Sequence, residues 1–262
     1  MDAAIVLALV AGAGWAINIV VVRWALDRTG ASSLSGAVVG VTVAALVALG
    51  VAVLSGQPAP SLDDTWRFAL VGAIAPGSSQ GLFFAAIGSI GPSRSSVLVG
   101  TAPMFSVLLA IVFLDESWSV PIIVGTILTV VGGAVISWQP GPRLLQFGAL
   151  LALATAVTFA IRDVVASHFA QDSDLTSWWA GAVVLGAAAL VLAVSAAVKD
   201  RGATLPGLRR ALPEFIASGV MIGIALPVLL EALDRGQVGV VAPLSNAAQN
   251  VAVVLLSAAV FG

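Results

Sequence analysis

The chain has 262 residues, of which 60% are hydrophobic and 9% charged, with a mean hydropathy of +1.10; soluble domains average about 45–50% apolar and about 25% charged. With 13 acidic and 11 basic side chains in all, there is too little polar surface to cover a water-facing body of this mass, so a soluble fold is excluded and lipid is the solvent. A net charge of −2 excludes a phosphate-neutralising basic stripe and hence nucleic acid as a partner, while zero Cys and one His exclude a disulfide framework, a thiolate nucleophile and a Cys or His metal cage.

Crossing a hydrocarbon core takes about 20 mostly apolar helical residues. Nine stretches qualify in chain order: Ala3 to Leu26, Ser35 to Leu54, Trp66 to Ile87, Ser93 to Leu114, Val120 to Ser137, Gln146 to Phe169, Thr176 to Val198, Glu214 to Leu233 and Val238 to Phe261. The runs are continuously apolar, not alternating over about ten residues, which selects helices over a barrel. The first stretch lacks a basic leader and carries Trp15, Asn18 and Arg23, so it reads as a working span and not as a cleaved signal. Connections are short and rich in Gly and Pro, as at Gly56 to Pro60, Gly91-Pro92, Gln139 to Pro142 and Gly202 to Pro213. No loop holds a soluble domain. Trp66, Trp118, Trp138, Trp178 and Trp179 at span ends read as an aromatic belt.

An internal repeat is present. A shift of 144 sets Trp15-Ala16-Ile17-Asn18 against Phe159-Ala160-Ile161-Arg162, and a shift of 147 sets Gly72 against Gly219, Ala85 against Ala232 and Pro103 against Asn250. The repeating unit holds five helices, an odd number, so its second copy sits upside down in the membrane. Inverted repeats of this kind are the usual plan of secondary transporters, with the substrate near the midplane between copies.

The segment from Ser93 to Glu116, with mid-helix Pro103 preceding the acidic Glu116 by 13 residues, resembles the fourth helix of the EamA-type drug/metabolite transporters. Ile123 to Ile136, with Gly125, Gly132 and Gly133, resembles the small-residue helix that follows in that family. Trp15 and Asn18 resemble its opening helix, and Gly239 to Gly262 its ninth. The resemblance implies an all-α integral membrane protein of ten helices in two inverted five-helix units. It implies a central cavity lined by spans one, three, four, six, eight and nine, and movement of small organic solutes. Nine spans are present, so the expected arrangement is a first repeat at 1–140 and a second at 141–262 that lacks its last helix. Eight of the eleven basic residues, Arg23, Arg28, Arg94, Arg143, Lys199, Arg201, Arg209 and Arg210, follow odd-numbered spans. The positive-inside rule then sets the amino terminus outside, whereas the resemblance implies a cytoplasmic one.

Arg162 and Asp163 lie near the middle of the sixth span, where a charge costs at least about 2.5–3.5 kcal/mol and ordinarily faces a cavity or a partner. Neighbours on a helix are about 100° apart, so the two are expected to point in different directions. Thr155, Thr158 and Arg162 share one face, and Asn246 and Asn250 share another with Pro243 and with Gln249 beside them. The substrate-contact candidates are therefore Trp15, Asn18, Ser79, Gln80, Thr158, Arg162, Asn246, Gln249 and Asn250; the competing reading is that these amides and hydroxyls glue helices together. Pro76, Pro103, Pro227 and Pro243 are hinge candidates. Glu231 and Asp163 are the carboxylates available for proton coupling; the expectation is a carrier that is uncoupled or coupled through Glu231, with Asp163 a structural partner. One His and no Gly-x-Ser-x-Gly elbow exclude an activated serine, and no Gly-Lys-Ser/Thr loop exists for nucleotide.

The reading is a multi-pass plasma-membrane transporter, not an enzyme, with no cofactor and no metal. It moves amino acids or related metabolites through a midplane cavity by alternating access, with a small-molecule substrate and the lipid bilayer as partners and an oligomeric state the sequence does not set. The alternative is a non-transporting scaffold or lipid-handling protein.

Overall fold

The computed structural model describes residues 2–114, 120–121, 123–125, 127–128, 131, 147–199 and 204–261. All regular structure among them is helical, and eight helices are long and apolar enough to cross a bilayer. They are α1 (Asp2–Thr29), α2 (Ser33–Leu54), α3 (Leu62–Ile90), α4 (Pro92–Phe113), α5 (Phe147–Gln171), α6 (Ser177–Lys199), α7 (Thr204–Arg235) and α8 (Val238–Phe261). These are the first four and the sixth to ninth spans of the sequence. Most of the fifth span, Val120 to Ser137, lies outside the described residues, as do Asp115, Glu116, Trp118, Gly132, Gly133, Trp138, Arg143, Arg201 and the boundary at 140/141.

Capping chemistry sets several helix ends. The Ser32 hydroxyl accepts from the Ser35 N–H at 3.1 Å to start α2, and Ser61 accepts from Asp64 N–H at 3.0 Å to start α3, each satisfying a donor that the first turn leaves open. Gly91, at φ +83°, and Pro92 in the first turn of α4 divide α3 from α4. Outward faces are apolar too: Leu46, Leu54, Val112, Leu190 and Leu255 are exposed, which suits helices that are hydrophobic all round and surrounded by lipid.

Helix α1 lies on α7 and α8, whereas α5 lies on α3 and α4. Helix α2 packs on α6 and α7, α6 packs on α2 and α3, and α4 meets α8. Glycine permits the closest approaches. A Cβ at Gly72 of α3 would lie 2.1 Å from the Val184 carbonyl oxygen of α6, and one at Gly77 would lie 3.3 Å from Ala188 and 3.2 Å from Val191. On the other side, a Cβ at Gly219 of α7 would lie 2.6 Å from the Gly40 carbonyl of α2, and one at Gly223 would lie 2.8 Å from the Ala44 carbonyl and 2.9 Å from Val47. Such contacts let backbones touch in a solvent that provides no hydrophobic drive for helix association.

Two helices are interrupted. Helix α3 carries a wide turn at Ala73–Gly77 in which Ala75 is extended (φ −155°, ψ 130°), and α4 is broken at Gly100 and Thr101, so that Pro103 falls in the first turn of its second segment. Pro227 and Pro243 sit inside continuous helices. The Pro227 ring fills the space over Gly181, where an added Cβ would come within 2.6 Å of it.

Gly72→Ala and Gly219→Ala are each expected to cost about 1–3 kcal/mol by overpacking and to lower the thermal unfolding midpoint in detergent. Gly50→Ala, with nothing within 4 Å of the new methyl, leaves the midpoint unchanged or raises it. Equal midpoints for all three variants would contradict the close approach.

Candidate functional site

Arg162 and Asp163 of α5 are both buried, each 4% exposed. Although a helix sets adjacent residues about 100° apart, their side chains meet. The long arginine arm folds back, and its Nε and Nη2 both donate to Asp163 Oδ1, at 2.9 and 2.7 Å. The sequence expectation that the two point apart is thus corrected; three rotatable carbons span the angle. The guanidinium carbon also lies 4.6 Å from the centre of the Phe159 ring, one turn earlier, and Phe159 in turn packs near Trp15 of α1 (6.4 Å between centroids) and Phe83 of α3 (5.8 Å). A cation over an aromatic face recovers part of the hydration it lost.

A void lies beside this pair. Trp15, Phe159, Arg162, Asp163, Asn246 and Gln249 line it, with Ala102, Leu229, Ala242 and Ser245 completing the wall. Its free space is about 20 Å³, room for about one water. Two donors beside it have no partner: Arg162 Nη1 and Gln249 Nε2. Asn246 Nδ2 donates at 2.9 Å to the Ala242 carbonyl of its own helix. Gly12 brings α1 against α8 here, since a Cβ would lie 2.3 Å from the Ser245 carbonyl.

Four of the nine substrate-contact candidates therefore surround one void: Trp15, Arg162, Asn246 and Gln249 stand together with Asp163 of the coupling pair, while Asn18, Ser79, Gln80, Thr158 and Asn250 are not part of its wall. Asn18 Oδ1 accepts from Ser218 Oγ of α7 at 2.7 Å. Asn250 Oδ1 accepts from Ser96 Oγ of α4 at 2.5 Å, and its Nδ2 has no partner. Thr158 Oγ1 donates to carbonyls of its own helix, at 2.9 Å to Thr155. Ser79 and Gln80 are fully buried, and neither the Ser79 hydroxyl nor either end of the Gln80 amide has a partner. Glu231, near the end of α7, accepts from Ser177 Oγ at 2.6 Å and pairs with Arg235. Phe159 is a wall residue that the polar stripes did not single out. The signal for it was its position three residues before Arg162 and its match with Trp15 at a shift of 144.

A polar recess of about 700 Å³ opens at the ends of α1, α3 and α8, with Arg23, Asp27, Ser93, Arg94 and Ser257 in its wall. Arg23 there donates to the Gly88 carbonyl at 2.9 Å and pairs with Asp27 at 2.8 Å.

Residues 2–138 match the model of the EamA-like transporter family. The chain belongs to that family. Its eight helices long and apolar enough to cross a bilayer fit a multi-pass membrane protein of that family. It is 32% identical over 185 residues to a probable terminal-alkyne amino-acid exporter of Streptantibioticus cattleyicolor, a match covering 65% of this chain and 62% of that protein. The match thus spans less than two thirds of the curated relative's length. The fold is similar to that of a protein known from a crystal structure, with a TM-score of 0.69 at 20% identity over 97% of this chain and 88% of the other. At that identity the likeness establishes the fold alone.

Removing one partner of a buried pair strands the other charge, at about 3–5 kcal/mol. Asp163→Ala is therefore expected to lower the protein's unfolding midpoint far more than the double variant Arg162→Met/Asp163→Leu, which removes both charges. A double variant no more stable than Asp163→Ala would contradict the pairing.

Proposed function

We propose that the chain carries amino acids or related metabolites across the plasma membrane through a site at the void, by alternating access between two inverted halves, residues 1–140 and 141–262. The carrying observation is the void itself: a buried ion pair, an amide and an aromatic wall, with unpartnered donors beside them, in a member of a transporter family. The amino-acid exporter among its relatives supports the solute class.

The two-halves reading draws support from matched contacts. Shifting Gly40, Ala44 and Val47 of α2 by 144 gives Val184, Ala188 and Val191 of α6, and these two sets are the partners of Gly219 and Gly223 on one side and of Gly72 and Gly77 on the other. The seams correspond residue for residue. Gly72 to Gly77 is one residue longer than Gly219 to Gly223, and the wide turn at Ala73–Gly77 absorbs the extra residue. Likewise α1 on α7 and α8 corresponds to α5 on α3 and α4.

Free space of about 20 Å³ is too small for an amino acid, so this conformation is closed and the solute enters when the halves separate. The recess of about 700 Å³ is about 12 Å from the void along α1, measured from Trp15 to Arg23 at 1.5 Å per residue, and supplies the mouth on that side. Bending falls at Pro76 and ahead of Pro103, where α3 and α4 are already interrupted, whereas Pro227 and Pro243 sit inside continuous helices. Both candidate coupling carboxylates have an arginine partner, Asp163 with Arg162 and Glu231 with Arg235, which favours the uncoupled form of the carrier.

Protein reconstituted in liposomes is expected to show saturable amino-acid flux, which Gln249→Leu lowers about tenfold or more while Ser96→Ala affects chiefly stability. Linear flux indifferent to Gln249→Leu would overturn the reading. Flux measured at pH 5, 7 and 8 is expected to be flat; a steep pH dependence that Glu231→Gln removes would instead assign coupling to Glu231.

A further inference from the structure

The buried pair beside the void is electrically neutral as a unit, and its hydrogen bonding is one-sided. A guanidinium has five N–H donors. Arg162 uses Nε and Nη2 on Asp163 Oδ1, which leaves Nη1 buried with no partner. The bonds to Asp163 fall on Oδ1, so Oδ2 keeps its accepting capacity. The wall thus offers an unused donor on a fixed cation and an unused acceptor on a fixed anion, with Trp15, Phe159 and Leu229 as its apolar part.

Charge balance decides what fits. In a low-dielectric interior the cost of burial falls on net charge. A carboxylate alone would leave the site with a net negative charge, and an amine alone would leave it positive. A solute bearing both an ammonium and a carboxylate keeps the site neutral. Its carboxylate takes the Arg162 Nη1 donor and its ammonium donates to Asp163 Oδ2, so the four charges alternate in sign. An uncharged polar solute leaves the fixed charges with weaker, neutral partners.

We propose that Arg162 and Asp163 together determine specificity, admitting small zwitterions with an apolar substituent and rejecting solutes that carry only one of the two charges. Asp163 is thereby a substrate-contacting residue and not only the structural partner of Arg162. The inference rests on the transport reading above and refines it to the two side chains that choose the solute.

The test uses purified full-length protein and three compounds of one skeleton: leucine, 4-methylpentanoate, which lacks the ammonium, and 3-methylbutylamine, which lacks the carboxylate. Ligand binding to the folded state raises the unfolding midpoint. Leucine is expected to stabilise and to compete for saturable flux at concentrations at least tenfold below either analogue. Arg162→Gln leaves a net anion and is expected to shift preference toward the amine by tenfold or more. Asp163→Asn leaves a net cation and shifts it toward the carboxylate. Should either variant fail to fold, the ranking of the three compounds on the unaltered protein still decides. Equal potency of all three would overturn the inference and leave the transport reading standing; saturable flux of uridine or a hexose with none of leucine would overturn both the inference and the amino-acid class of that reading, though not transport itself. No saturable flux of any compound would overturn that reading as well.

Discussion

Close approach of backbones is the constraint on which the rest of this bundle depends. Lipid chains are as apolar as leucine, so helices in a bilayer associate through dispersion and polar contacts that operate only at short range. Gly72 against Val184 and Gly219 against Gly40 let carbonyl oxygens of α6 and α2 sit where a methyl group would otherwise stand. These seams fix α3 on α6 and α7 on α2, and α2 packs on α6. Gly12 then sets α1 on α8, and Gly14 sets it on α7 against Ala225. The side chains around the void owe their convergence to those small residues, none of which has any chemistry of its own.

Against that background, the polar residues divide by whether their atoms are used. Ser96 with Asn250 ties α4 to α8, and Asn18 with Ser218 ties α1 to α7; both are inter-helix bonds of the kind worth about 0.6 kcal/mol on average in membrane proteins. Arg162 Nη1, Gln249 Nε2 and the Gln80 amide are buried without partners. Leaving a buried donor unmade costs about 1–3 kcal/mol, more for a charged group. Asn18 Nδ2, Asn250 Nδ2 and the Ser79 hydroxyl are unpartnered as well, so what sets Arg162 and Gln249 apart is that both line one void. Unused donors on two residues that line one void are the observation on which the proposed site rests.

The spans were legible because lipid imposes a length and a composition on every crossing helix, and all eight helices of the structure fall on spans read from hydropathy. Arg162 and Asp163 stood out by residue type alone, but their pairing with each other, which takes the arginine arm folding back, did not. Nor was it legible which polar stripes converge. Helices that are apolar all round give no periodic signal for the buried side, so Asn18, Thr158 and Asn250 looked as exposed to a cavity as Gln249 did. Their commitments to Ser218, to the Thr155 carbonyl and to Ser96 depend on neighbours 200, 3 and 154 residues away, which a single chain read in order does not rank. The wide turn in α3 was hidden for a related reason. A one-residue difference between Gly72–Gly77 and Gly219–Gly223 looks like drift until both glycine pairs are seen against matching residues of α6 and α2.

Matching seams with unmatched helices also separate what is rigid from what bends. A continuous helix moves as a rod, because bending it anywhere breaks intrahelical hydrogen bonds that lipid cannot replace. Helix α7 is such a rod despite Pro213 and Pro227, and so is α8 despite Pro243. Helices α3 and α4 are interrupted at Ala73–Gly77 and at Gly100–Thr101, where the regular ladder gives way to wider and tighter turns such as Ser78 N–H to the Ala73 carbonyl and Thr101 N–H to the Leu98 carbonyl. The extra residue in α3 is accommodated within the stretch that faces α6, between two glycines whose contacts are kept. The seam therefore survives while the helix above it is freed. Gly100 has the further duty of receiving Asn250, since a Cβ there would lie 2.6 Å from Nδ2. Among the described helices the interruptions thus fall in α3 and α4, the two helices on which α5, the helix of the charged pair, packs.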